Sequence, residues 1–175
     1  MDDEDPRAIR SVAVTTDDVV AAHEARQRSP RRPVLRVTPP FTGRMRARLH
    51  DPGPAAKRSE AAAGESAAVG QESGTDSGAS ESVGDRDPAT GAVHLPPARF
   101  LDADAIGPFP APDDTEDALR ADPEVEFTVE RHRERHVEAV EAWRETVRET
   151  VMDEAVIRLD GGEVHRVEVK TLGDG

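Results

Sequence analysis

The chain has 175 residues, 35% apolar and only 3% aromatic, with a formal net charge of -13, which suits one domain with a modest core. It has no cysteine, which excludes a disulfide framework, a thiol nucleophile and a thiolate metal site. No run approaches the roughly 18 apolar residues of a membrane span, and the acidic start MDDEDPRAIR has no apolar h-region, so a cytoplasmic, non-membrane protein is expected.

In chain order, SVAVT (11–15) reads as a short strand. A helix follows in TTDDVVAAHEARQR, with Thr15 or Thr16 as N-cap and Asp17 and Asp18 in the first turn, where carboxylates favour the helix dipole. Ser29-Pro30 ends it. VLRVT (34–38) and RMRARLH (44–50) are then expected to form a hairpin around a five-residue loop, 39–43. In that register Val37 opposes Met45, Leu35 opposes Ala47, and Arg36 opposes Arg46.

Residues 51–92 contain no Leu, Ile, Phe or Met, and Val69 and Val83 are their only branched apolar side chains. Such a segment cannot bury enough surface to offset its ordering entropy, so it reads as a disordered acidic Ser/Gly/Ala-rich loop. The flanks, 1–50 and 93–173, are each short, so a single α+β domain is expected, with an interdomain linker as the alternative. HLPPARFLDADAIGPFPAPDDTED reads as an extended acidic strap anchored by Leu95, Phe100 and Phe109, with a short helix over 114–121.

A long helix is predicted from about residue 128 to 153, with Val129, His136, Val140, Trp143, Val147 and Val151 on one stripe. Glu134, Glu138, Glu141 and Glu145 run along nearly the opposite, solvated side. In AVIRLDGGEVHRVEVKTLG a three-residue turn at 160–162 is the one that sets Ile157 and Leu159 beside His165, Val167 and Val169. The expected architecture is α+β: a small, mainly antiparallel sheet of two hairpins and a short N-terminal strand, packed by the long helix and the short N-terminal helix.

Three patterns invite chemistry. VEVKT (167–171) looks like the strand of the PD-(D/E)xK nucleases. That resemblance implies a metal-dependent phosphodiesterase in which Asp153 and Glu168 are metal-binding carboxylates and Lys170 positions the phosphate. Asp153, however, falls at the end of the predicted helix rather than in a strand. In HRERH, His132 and His136 stand one helical turn apart, a zinc-helix spacing, but two ligands do not define a site and core packing explains both. Neither GxGxxG nor GxxxxGK[ST] occurs, and no cofactor is expected.

The third pattern is the arginines. Residues 25–58 carry ten basic residues against Asp51 alone, about +9 in a chain that is otherwise about -22. Arg36, Arg44, Arg46 and Arg48 share one expected strand face. Like charges directly opposite each other are destabilising, so something anionic should lie against them. A guanidinium binds carboxylate and phosphate in a bidentate fork, which suits an acidic protein, a nucleic acid, or the chain's own strap through Asp102, Asp104, Asp113, Asp114 and Glu116.

Of the 23 basic residues only Lys57 and Lys170 are lysine, a style that resembles the proteome of salt-loving archaea. At about 1 M salt the Debye length falls to about 3 Å, which disfavours nucleic-acid binding by counterion release. The runs RVTPPFTGRMRARLH, HLPPARF and APDDTED resemble small uncharacterised proteins of halophilic archaea grouped as a domain of unknown function. That resemblance implies a single domain over nearly the whole chain outside the loop and brings no activity. The expected function is a non-enzymatic interaction protein, with a nucleic-acid-binding protein and the nuclease-like enzyme as alternatives.

Overall fold

The computed structural model describes residues 2–52 and 84–173. The chain is α+β, and among the described residues seven strands form two sheets beside three α-helices. The four-stranded sheet has the order β3-β1-β7-β6, from Arg44–Arg46, Ser11–Thr15, Val164–Leu172 and Glu154–Arg158. The three-stranded sheet has the order β4-β2-β5, from Arg48–His50, Val34–Val37 and Val93–Leu95. β1 runs parallel to both β3 and β7, while β6 and β7, and β2 with each neighbour, are antiparallel.

Local chemistry sets most of the boundaries. Val12 and Val14 are fully buried while Ser11, Ala13 and Thr15 face the other side, the alternation that makes β1 a strand. Thr15 caps helix α1 (Thr16–Arg28), its Oγ1 accepting the Asp18 N–H at 3.2 Å. Helix α2 (Pro112–Ala121) starts two residues before the predicted 114, because Pro112 suits the first helical position, where an N–H is not needed. Helix α3 (Val129–Glu149) is capped by Thr128 and ends before the predicted 153. Residues beyond it turn extended, with Val151 bridging Leu101 and the Met152 N–H donating to Phe100 at 2.8 Å.

The C-terminal hairpin forms in the expected register, with Ile157 opposite His165 and Ala155 opposite Val167. Its turn, Asp160–Gly162, places Gly161 and Gly162 at φ of 85° and 91°, which favours glycine at both. The first expected hairpin is not formed as a single unit. Residues 44–50 divide at Ala47, which is 1% exposed and donates its N–H to the Ala13 carbonyl at 2.9 Å. The first half joins β1 instead of β2, setting Met45 beside Val12. Helix α1 and β2 supply the long crossover that a parallel pair requires.

The second half pairs with β2 two residues further along than expected. Arg36 opposes Arg48 rather than Arg46, and Leu35 opposes Leu49 rather than Ala47. Apolar alternation fixes which residues share a face, but a two-residue slip preserves that alternation and is invisible to it.

One apolar cluster serves both sheets. Val12, Val14, Ile157, Val167 and Val169 meet Leu35, Val37, Val93 and Leu95, together with Phe41, Phe100, Trp143 and Val147. Each fully buried Val, Leu or Phe in it is worth about 1.5–3 kcal/mol. The cluster draws on residues from both sides of 53–83. The expected loop falls mainly on those residues, which lie outside the described ones. Its last part, 84–92, is instead hydrogen-bonded structure: Asp85 binds Arg99 and Arg158, Arg86 bridges Val93, and Asp87 N–H donates to Ala92.

Helix α1 packs on β1, β2 and β4, and α3 packs on α1 and α2. Of the expected stripe on α3, Val140, Trp143 and Val147 are buried, whereas Val129 is 67% exposed. Glu134, Glu138, Glu141 and Glu145 are exposed, as expected. Arg144 on α3 donates two hydrogen bonds, at 2.7 and 2.8 Å, to the buried Glu24 on α1, and Arg28 adds a third at 2.9 Å. The Arg144 bonds chiefly hold the Glu24 carboxyl below its usual range.

His23 on α1 stacks on Trp143, ring centroids 5.4 Å apart and planes within 6°. Burial, with Arg26 adding, pushes its pKa below the usual 6.5. The folded protein therefore binds fewer protons here than the unfolded chain, so stability is lost as pH falls from about 6.5 toward the folded value. Thermal melts between about pH 7.5 and 5.5 should show a falling midpoint. His23→Gln should flatten that slope; an unchanged slope would assign it to another group.

Candidate functional site

Three of the four arginines of the predicted surface lie along two edge strands, and the fourth, Arg36, lies on a central one. Arg44 and Arg46 stand on β3, an edge of the four-stranded sheet, and Arg48 stands on β4, an edge of the three-stranded one. All three are exposed, and Arg36 on β2 is half-buried. Because the extended segment passes through Ala47, they keep alternate positions across the corner between sheets.

On the four-stranded sheet, Arg44 is registered with Ser11 and then Glu168, and Arg46 with Ala13 and then Lys170. The two residues on the central strand are small, which leaves a trough between β3 and β7. Lys170 Nζ sits 2.6 Å from Glu168 Oε1, so the charges on β7 largely satisfy each other. At the end of the trough lies a shallow cleft lined by Ala8, Arg10, Ser11, Gly43, Arg44 and Glu168.

On the three-stranded sheet, Arg36 stands directly between Arg48 on one side and His94 on the other. The His50 and His94 rings approach to 5.4 Å, and Val34 on the same face of β2 is opposite His50. The Arg36 Nε is buried and has no hydrogen-bond partner among the described residues. Asp87 faces this group: its carboxyl is held below the usual range first by the Ala89 backbone N–H, with Thr90, His94 and Arg36 adding. Among the described residues no ion pair joins Arg36, Arg44, Arg46 or Arg48 to a carboxylate.

The acidic strap is seated elsewhere. The Asp102 N–H donates to Thr150 at 3.0 Å, the Trp143 Nε1–H donates to Gly107 at 3.0 Å, and α2 packs on α3. Asp102, Asp104, Asp113 and Asp114 are exposed there.

The histidines of HRERH serve this docking. His132 Nε2 donates to the Pro112 carbonyl at 2.9 Å, and His136 Nδ1 lies 3.3 Å from Thr115 Oγ1, so the two rings grip the start of α2. Of the nuclease-like set, Asp153 is exposed just before β6, its carbonyl accepting the Val169 N–H at 2.7 Å. Glu168 and Lys170 share the exposed face of β7. Among the described residues no group of three or more His, Asp or Glu side chains is placed to hold a metal ion. The sequence reading missed His94 and its meeting with His50, which carries no motif and arises only because β2 lies between their strands.

The fold and this surface define a small two-sheet α+β protein with an outward arginine row, and among the described residues no helix is long and apolar enough to cross a membrane. The chain belongs to a family described as a domain of unknown function, DUF8009, whose model matches residues 1–173. No curated protein and no solved structure matches it.

Proposed function

We propose that this is a non-enzymatic interaction protein that binds an acidic protein partner through Arg36, Arg44, Arg46 and Arg48. The observation that carries this reading is the direct opposition of Arg36 and Arg48. Like charges facing each other across a ladder are destabilising, and four guanidiniums without an ion-pair partner among the described residues form a standing demand for an anion. The strap, held against α3, supports a partner supplied from outside over the strap's own acids.

An acidic protein is favoured over single-stranded nucleic acid, because Phe, Trp or Tyr stacking platforms are absent from the outer faces of β1–β4. The acid excess and scarcity of lysine support a cytoplasmic protein of a salt-loving archaeon. There, attraction beyond about 3 Å is screened at about 1 M salt, and bidentate arginine contacts are what persists.

Fluorescence anisotropy with a labelled glutamate-rich peptide and with labelled RNA, from low to multimolar KCl, tests the reading. The peptide should bind at high salt, and replacing Arg44, Arg46 and Arg48 together by Gln should weaken it about tenfold or more. RNA binding that outlasts the peptide at high salt would transfer the surface to nucleic acid. Equal binding by the variant would remove the arginines from the site.

A further inference from the structure

We propose that Arg36, Arg48, His50 and His94, on the outer face of the three-stranded sheet, form a binding site for a phosphate-class oxyanion. The proposal deepens the arginine surface by naming an anchor point within it, and it rests on that surface facing outward.

The ladder makes the cluster. Strands lie about 4.8 Å apart, so Arg48, Arg36 and His94 stand side by side in one row across three strands. His50 completes it from the next row, its ring tilted 36° to that of His94 at 5.4 Å. These side chains offer two guanidinium forks and two imidazoles on one face.

Among the described residues, the hydrogen bonds and ion pairs of Asp51 and Asp87 on this side go largely to other groups. Asp51, next to His50, pairs with Arg31 at 3.1 Å. Asp87 accepts the Ala89 N–H at 3.0 Å and the Thr90 hydroxyl at 3.1 Å, so its oxygens are committed to its own turn. It balances one guanidinium electrostatically and leaves the second. Arg36 Nε, buried with no acceptor among the described residues, has lost its water without a replacement, which is costly for a charged donor.

A tetrahedral dianion answers this arrangement better than a carboxylate. Its oxygens accept from several donors at once, and its second charge matches a cluster that stays positive after Asp87 is counted. The shared chemistry is a phosphoryl oxyanion, whether free phosphate or a phosphoryl group on a polypeptide.

The test is a titration of the full chain with inorganic phosphate at constant ionic strength set with KCl, read on the arginine Nε–Hε and histidine ring resonances. Arg36 Hε and the His50 and His94 rings should shift saturably. Arg36→Gln and Arg48→Gln should each weaken binding about tenfold. Arg48 is exposed, so Arg48→Gln keeps the test valid if Arg36→Gln unfolds the chain. Tighter binding of a phosphoserine peptide than of inorganic phosphate would assign the site to a phosphorylated polypeptide, and equal binding would assign it to free phosphate; both support it. The absence of a saturable shift, or equal affinity in both variants, would overturn it. If phosphate fails while the glutamate-rich peptide still binds, the oxyanion site is lost and the acidic-partner reading stands.

Discussion

Asp85→Ala is expected to lower the unfolding free energy by about 3–5 kcal/mol, the usual cost of removing one member of a buried charge pair. Asp85 takes Arg99 Nη1 at 2.7 Å and Nη2 at 2.9 Å in a two-point contact, and the Arg158 backbone N–H at 2.7 Å. The side chains are only 9% and 17% exposed, so Ala would leave the Arg99 guanidinium with little water to replace its partner. Arg99 also donates to the Val156 carbonyl at 2.8 Å, so the pair ties the 84–92 segment and the turn Pro97–Phe100 to the edge of β6. Urea unfolding measures the loss. Asp85→Ala combined with Arg99→Met should recover part of it, because the stranded charge is then gone. A loss under about 1 kcal/mol would show that the pair is solvated in solution and behaves as a surface ion pair.

Trp143→Ala is expected to cost a similar amount, about 3–5 kcal/mol, through lost burial and the cavity left behind. The indole is 6% exposed. One face stacks on His23 and the ring meets Phe109 edge-on at 4.9 Å, while its N–H holds the strap at Gly107. A single side chain thus joins α1, α3 and the strap. Trp143→Phe should cost only about 1–2 kcal/mol, losing the hydrogen bond and part of the volume. The chain has one tryptophan, so unfolding of these variants is followed by far-UV circular dichroism. Equal losses for Phe and Ala would place the contribution in the hydrogen bond rather than in packing.

The parts legible in the sequence were those set by short-range chemistry. Thr15 and Asp17 mark the start of α1, the Asp160-Gly161-Gly162 turn sets the register of β6 and β7, and SVAVT marks the strand β1. What stayed hidden depends on distant partners. That β1 recruits Arg44–Arg46 from the expected hairpin, with Met45 registered on Val12, joins residues far apart in the chain. The residues 84–92 look like more of a polar loop because their order comes from Arg99 and Arg158 rather than from apolar side chains of their own. The arginine row itself was readable from its alternation, but its division between two sheets and the two histidines beside it were not.

The corner at Ala47 has a mechanical consequence. With its N–H committed to Ala13 in one sheet and the next residue laddered to β2 in the other, this position acts as a rivet between two plates. A partner that grips Arg46 and Arg48 together straddles that rivet and resists any change in the angle between the plates. Occupancy of the row would therefore be felt as stiffness beyond the atoms in contact, with the two sheets held to one relative orientation.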